Sequence, residues 1–117
     1  VRGNTLKVLV KQLKEAKASS IHIRIASPPV ISPCYYGIDI PTYNELIAHK
    51  FDNDIEKINE SLGSNSLKYL EVKHMIGLLP KKSKKSCVSC FTNNYDTKML
   101  EGWYDIFSTF TEVILEK

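Results

Sequence analysis

Hydrophobic residues near the start of the chain recur with the period of an α-helix. Lysines occupy the opposite face, and the apolar positions are Leu6, Leu9, Val10, Leu13 and Ala16. This stripe predicts an amphipathic helix that ends near Lys17. Next, Ile21, Ile23 and Ile25 alternate with other side chains, and a period of two in β-branched residues predicts a strand. The strand is expected to stop at the two prolines that follow Ser27.

The middle of the chain predicts further helices and one more strand. Glu45 follows Thr42 by three residues, which is the form of a capping box and predicts a short helix from about Tyr43 to His49. A second helix is expected from near Asn53 until just before Gly63. The remaining expected elements are a short strand over Leu67–Leu70 and a helical turn or two over Val72–Leu79.

The order of these elements indicates the fold class. A loop that contains glycine leads into the first helix, and that helix leads into a hydrophobic strand. This order is typical of half of a right-handed βαβ crossover. The predicted fold is therefore α/β, with a parallel sheet flanked by helices. In this interpretation, the strand that should precede Val1 lies outside the chain.

Composition narrows the possible classes of protein. With 117 residues, of which 43% are hydrophobic and 25% charged, the chain can fill one modest core. Its apolar stretches are shorter than the roughly 20 residues that cross a bilayer, so we expect no membrane span. The net charge of +3 is too small to imply nucleic acid, although it suits a phosphorylated small ligand. No signal peptide opens the chain, so a cytoplasmic protein is expected.

The three cysteines are the first candidates for chemistry. Cys87 and Cys90 form a Cys-x-x-Cys pair, and Cys34 lies far upstream. This spacing brings two thiolates to the same side of a turn, where they can bind one ion or one face of a cluster. The alternatives are a zinc site completed by a histidine, a redox couple, part of an iron–sulfur ligand set, or incidental buried thiols. The candidate histidines are His22, His49 and His74.

The loop before the first helix is a second candidate site. Gly3 lets the backbone approach a ligand closely, Thr5 offers a hydroxyl, and the first N–H groups and the dipole of the helix favour an anion. The loop Arg2-Gly3-Asn4-Thr5 could therefore bind phosphate. The same residue types are equally ordinary as a turn and a helix cap.

A basic run precedes the Cys-x-x-Cys pair. It contains Lys81, Lys82, Lys84 and Lys85 with two serines. Such a run is most simply a solvated linker, and the alternative is a phosphate-binding patch.

Four blocks of the sequence, in order, resemble the carboxy-terminal segment of the amidophosphoribosyltransferases. They are V-R-G-N-T, H-I-R-I-A-S-P-P-V, P-C-Y-Y-G-I-D-I-P-T-x-x-E-L-I-A and C-V-S-C-F-T-x-x-Y, and the similarity runs from Val1 to about Trp103. The resemblance implies the end of a type I phosphoribosyltransferase fold followed by a carboxy-terminal extension. The implied divisions are residues 1–79 for the phosphoribosyltransferase part, 80–86 for a basic linker, and 87–117 for the extension that carries cluster ligands.

The resemblance also implies which residues bind substrate. Arg2, Gly3, Asn4 and Thr5 match the tail of the loop that binds the 5′-phosphate of phosphoribosyl pyrophosphate. Many members carry threonine where Asn4 stands, and backbone N–H groups can hold the phosphate with either residue. The acidic pair that binds the ribose hydroxyls and assists Mg²⁺ is expected just before Val1, outside the chain.

The cysteines match a metal centre of the same family. Cys34, Cys87 and Cys90 correspond to three of the four thiolate ligands of the [4Fe–4S] cluster that one branch of the family carries. The fourth ligand is expected upstream of the chain. By resemblance, the sequence belongs to this cluster-bearing branch, in which the cluster ties distant segments together.

The implied activity is the first committed step of purine biosynthesis. Ammonia released from glutamine displaces pyrophosphate from phosphoribosyl pyrophosphate and gives 5-phosphoribosylamine. The family is typically homo-oligomeric, and no catalytic residue is expected within this chain, which alone should be inactive. Two alternatives stay open: another phosphoribosyltransferase or purine-sensing regulator that binds phosphate without iron, and a non-enzymatic zinc-binding module.

Overall fold

Helices and short strands alternate along the chain. The computed structural model describes residues 1–40, 42–80 and 86–95. Their elements are α1 (Asn4–Glu15), β1 (His22–Ile25), a 3₁₀ turn (Tyr43–Glu45), α2 (Ile47–Lys50), α3 (Ile55–Leu62), β2 (Ser66–Tyr69), α4 (Val72–Leu78) and α5 (Ser89–Thr92). The predicted linker lysines and the residues from Asp96 onward lie outside the described part, so the predicted division at residues 80–86 stays a prediction.

The two strands form a parallel pair. His22 aligns with Ser66, and the register continues to Ile25 opposite Tyr69. Parallel strands cannot be joined by a tight hairpin, and here the connection contains α2 and α3. The predicted α/β class, with a parallel sheet packed by helices, is confirmed.

The core lies where α1, α2 and α3 meet the strands. Its buried members are Val10, Ile21, Ile23, Ile47, Ala48, Ile58, Leu62 and Leu67. Burying a large aliphatic side chain completely contributes roughly 1.5–3 kcal/mol. Within α1, only Val10 of the predicted stripe is fully buried, whereas Leu9 and Leu13 are exposed. One part of the amphipathic face therefore packs on the core, and the rest faces outward.

The prediction of one continuous helix from Tyr43 to His49 is wrong. The 3₁₀ turn and α2 are separated by Leu46, whose backbone is extended and whose side chain is fully buried. The Thr42 hydroxyl contacts the Glu45 carboxylate at 3.4 Å and caps no backbone N–H. The capping box therefore does not form.

Both ends of α3, unlike the start of the 3₁₀ turn, are formed by the capping residues near the positions that the sequence predicts. Asp54, one residue after the predicted start, accepts hydrogen bonds from the backbone N–H groups of Glu56 and Lys57. Gly63 ends the helix in the left-handed region, with φ of 74°, as predicted from its type. α3 leads into β2, and its residue Leu62 packs beneath the loop that precedes α1.

Candidate functional site

The backbone before α1 has the conformation of an open helix start. Gly3 is the N-cap residue and adopts φ of 79° and ψ of −8°, a left-handed conformation that glycine adopts without strain. The carbonyl of Gly3 accepts the first helical hydrogen bond, from the N–H of Lys7 at 3.0 Å. No side chain caps α1. Gly3 thus takes the N-cap position, in agreement with the alternative of a turn and helix cap, but neither Asn4 nor Thr5 caps the helix with its side chain. The first-turn N–H groups therefore keep their donor capacity.

A cavity opens beside this helix start. Its volume is about 410 Å³, and its lining residues are Val1, Arg2, Gly3, Asn4, Thr5 and Leu6. The first turn of α1 contains no acidic residue. The positive end of the helix dipole therefore faces the cavity without a carboxylate from that turn, which favours an anionic ligand.

The loop is fixed by contacts with α2 and α3. The carbonyl of Val1 accepts a hydrogen bond from the N–H of Ile47 at 2.9 Å. A Cβ atom at Gly3 would lie 2.5 Å from Cδ1 of Ile47 and 3.7 Å from a methyl carbon of Leu62. A side chain at Gly3 would therefore strain the backbone and displace the end of the Ile47 side chain from its position in the core.

The side chain of Arg2 is engaged outside the helix start. Its Nε donates to Oε2 of Glu45 at 2.5 Å, and its Nη2 lies 4.0 Å from Oδ2 of Asp39. The same Nη2 donates to the carbonyl of Asp39 at 3.4 Å. The guanidinium therefore joins the loop before α1 to the segment between Asp39 and Glu45, and its charge is offset by two carboxylates.

The structure brings the three cysteines into one neighbourhood. Cys34 and Cys90 are half-buried and Cys87 is exposed. The carbonyl of Cys90 accepts hydrogen bonds from the N–H groups of Ile31 at 2.9 Å and Ser32 at 3.2 Å. Burial raises the pKa of the Cys90 thiol, and the charges of Cys34 and Cys87 raise it further. By contrast, hydrogen bonds from Ser89 lower the pKa of Cys87.

The donor set consists of three thiols, a ligand type that suits both a zinc ion and an iron–sulfur cluster. Among residues 1–40, 42–80 and 86–95, no three Cys, His, Asp or Glu side chains are placed to hold a single metal ion. His22 is hydrogen-bonded to Ser66, and the ring of His49 packs against Tyr43. A [4Fe–4S] cluster takes one thiolate on each of four irons, so its ligands stand farther apart than those of one ion.

Tyr95 also belongs to this site, although no pattern in the sequence assigns it a role. Its hydroxyl donates to the carbonyl of Pro33 and contacts the hydroxyl of Ser32, which is fully buried. Its ring packs edge-on against Tyr35, with centroids 4.8 Å apart. Burial raises the pKa of Tyr95, so the hydroxyl keeps its proton at neutral pH. The only hint in the sequence is its place in the C-V-S-C-F-T-x-x-Y block.

Fold and site together define an α/β protein with an uncapped helix start beside a cavity and with a group of three thiols. No family model matches the chain. Among curated proteins, it is 45% identical over 101 residues to amidophosphoribosyltransferase 1, chloroplastic, of Arabidopsis thaliana, covering 86% of this chain and 18% of that protein. It is 37% identical over 105 residues to the amidophosphoribosyltransferase of Bacillus subtilis, covering 86% and 22%.

Solved structures agree with the sequence relatives. The glutamine phosphoribosylpyrophosphate amidotransferase of B. subtilis, complexed with ADP and GMP, matches with a TM-score of 0.69 and 36% identity, over 81% of this chain and 21% of that one. A structure described as the allosteric regulatory enzyme of purine biosynthesis matches with a TM-score of 0.70 and 37% identity, over the same shares.

The chain is an amidophosphoribosyltransferase homologue over most of its length. It spans about a fifth of the length of the curated relatives that it matches. Within the described ranges, no helix is long and apolar enough to cross a membrane.

The close packing of Gly3 gives a first prediction. Gly3→Ala should weaken binding of inorganic phosphate, because it strains a left-handed residue by about 1 kcal/mol and drives a methyl group into Ile47. Titration followed by ³¹P NMR measures the effect. Gly37→Ala is the matched control, since Gly37 also has a positive φ, of 104°, but nothing lies within 4 Å of its added Cβ. Equal phosphate affinities of the two variants would contradict the role of the Ile47 contact.

The Arg2–Glu45 ion pair gives a second prediction. If the pair holds the loop in place, Arg2→Gln and Glu45→Gln should each weaken phosphate binding severalfold, since exposed pairs contribute about 0.2–1 kcal/mol. The double variant should be no weaker than either single variant. Tighter binding by Glu45→Gln, with weaker binding by Arg2→Gln, would instead indicate that Arg2 contacts the phosphate directly.

Proposed function

We propose that this chain provides the 5′-phosphate site of an amidophosphoribosyltransferase, within an enzyme that transfers glutamine-derived ammonia to phosphoribosyl pyrophosphate. The observation that carries the proposal is the start of α1. It is uncapped, it is entered through Gly3 in the left-handed region, and it faces a cavity lined by Val1 to Leu6. Family membership supplies the substrate, because the relatives are named for this transfer.

The proposed role of the loop is to hold the non-reacting end of the substrate. Backbone N–H groups of Asn4 and Thr5, with the Thr5 hydroxyl, donate to the 5′-phosphate oxygens. The ribose is thereby fixed so that its C1 faces incoming ammonia. Binding energy from this remote phosphate is converted into orientation at the reacting carbon, where it lowers the activation barrier.

The reaction replaces one bond at C1 of the ribose by another. A new bond forms between the ammonia nitrogen and C1, the bond from C1 to the pyrophosphate oxygen breaks, and pyrophosphate leaves with that electron pair. Mg²⁺, when bound, supplies charge stabilisation to the leaving pyrophosphate. No nucleophilic side chain is required from Arg2, Gly3, Asn4 or Thr5, whose part is positioning and charge stabilisation.

The three cysteines are proposed as ligands of a [4Fe–4S] cluster. Cys34, Cys87 and Cys90 would each hold one iron, and a fourth ligand would come from outside the described residues. Supporting this assignment are the shared neighbourhood of the thiols and the hydrogen bonds that join residues 31–32 to Cys90. In this role the cluster ties the segment of residues 86–95 to the loop that carries Cys34.

The phosphate site is tested by comparing ribose 5-phosphate with ribose. The chain should bind ribose 5-phosphate and show no measurable binding of ribose, because the loop contacts only the phosphate. Affinity should fall when Thr5 is replaced by valine, which keeps its shape but removes the hydroxyl. Isothermal titration calorimetry measures both ligands, and Gln12→Ala, farther along α1, is the control. Equal binding of the two sugars would exclude the phosphate site.

The metal assignment is tested by chemical analysis. Full-length protein that includes the expected fourth ligand, purified without oxygen or reconstituted with iron and sulfide, should contain iron and acid-labile sulfide in equal amounts. Cys34→Ser and Cys90→Ser should each lose most of both, whereas Ser86→Ala, beside the pair, should retain them. Zinc in stoichiometric amount without sulfide would contradict the cluster. Because the phosphate titration needs no metal, the two assignments can fail separately.

A further inference from the structure

The segment of residues 86–95 meets the loop of residues 31–35 through contacts that need no metal. Two are backbone hydrogen bonds to the carbonyl of Cys90, from Ile31 and Ser32. Two more involve the hydroxyl of Tyr95, which reaches Pro33 and Ser32. These four contacts join the part of the chain that carries the Cys-x-x-Cys pair to the part that carries Cys34.

The direction of the hydroxyl bonds follows from their partners. The carbonyl of Pro33 can only accept, so the single proton of Tyr95 points to it. The Tyr95 oxygen then accepts the proton of the Ser32 hydroxyl. Ser32 is fully buried, and removing this partner would cost its buried hydroxyl a hydrogen bond. Tyr95 therefore satisfies two polar groups of the Cys34 loop at once.

Aromatic packing adds to these bonds. The Tyr95 ring packs edge-on against Tyr35, the neighbour of Cys34, and lies 6.1 Å from the ring of Tyr36. By comparison, the contact that joins the segment of residues 86–95 to the 3₁₀ turn is weak: Tyr43 donates to Oδ1 of Asn93 at 3.4 Å, in an exposed position.

We propose that Tyr95 is a positioning residue that docks the Cys-x-x-Cys segment onto the Cys34 loop before any metal is bound. The polypeptide itself thus brings the thiols together, so the entropic cost of joining the two segments does not reduce the affinity for metal by its full amount. The inference depends on the proposed function only for what the thiols bind. The docking itself is inferred from contacts within the polypeptide alone.

Amide hydrogen exchange in metal-free, reduced protein tests the docking directly. The N–H groups of Ile31 and Ser32 should exchange slowly, because both are bonded to Cys90. Tyr95→Phe removes the two hydroxyl bonds and keeps the ring, so exchange at both amides should accelerate about tenfold. The Ile58 amide, which is bonded to Asp54 within α3, should not change and reports that the core is intact.

Two further variants make the result decisive. Tyr43→Phe removes the exposed bond to Asn93 and should change the exchange of Ile31 and Ser32 less than about twofold. Ser32→Ala removes one of the two hydroxyl contacts and serves as the test if Tyr95→Phe also loses protection at Ile58. Its expected effect is an acceleration at Ile31 with Ile58 unchanged.

Uptake of iron and sulfide provides a readout that a general loss of stability would not reproduce. With an intact core, Tyr95→Phe should take up iron more slowly than the original chain and reach the same final content. The proposal is overturned if Ile31 and Ser32 exchange freely in the metal-free protein and become protected only after iron and sulfide are added. It is also overturned if Tyr95→Phe exchanges and loads like the original chain.

Discussion

The contact between Gly3 and Ile47 is the constraint on which the candidate phosphate site depends. Ile47 donates its N–H to Val1 and places its side chain where any Cβ at Gly3 would collide. Ile47 is itself buried in the core with Leu62. The direction in which α1 starts, and so the direction of its free N–H groups, is therefore set by the packing of α2 and α3. Changes in the core should therefore alter the loop even though none of the buried core residues lines the cavity beside it.

The segment between Cys34 and Glu45 serves both candidate sites. At one end, the N–H of Cys34 is bonded to the carbonyl of Ile40, and the neighbouring residues contact Tyr95. At the other end, Asp39 and Glu45 hold the guanidinium of Arg2. A rearrangement of this segment would alter the thiol group and the loop before α1 together. A structural change at one site should therefore affect the other through this segment, although Arg2 and Cys34 are far apart in sequence.

Local signals in the sequence predicted the helices and strands better than they predicted the contacts between these elements. Gly63 predicted a helix end because a left-handed residue is a requirement of the backbone at that point alone. The Thr42–Glu45 capping box failed because Glu45 is engaged by Arg2, 43 positions away. Tyr95 was missed for the same reason, since its partners lie 62 and 63 positions upstream. Periodicity and capping rules contain no information about such distant competitors.

The net charge of the chain does not explain its candidate anion site. Its formal net charge is +3, yet the guanidinium of Arg2, a residue that lines the cavity, is paired with Asp39 and Glu45. What remains for an anion is a set of backbone donors, the Thr5 hydroxyl and a helix dipole, which act over a few ångströms and depend on geometry. A site of this kind discriminates by the position of the phosphate rather than by total charge. That suits the role proposed for this loop, which is to hold one end of a substrate still while chemistry proceeds at the other.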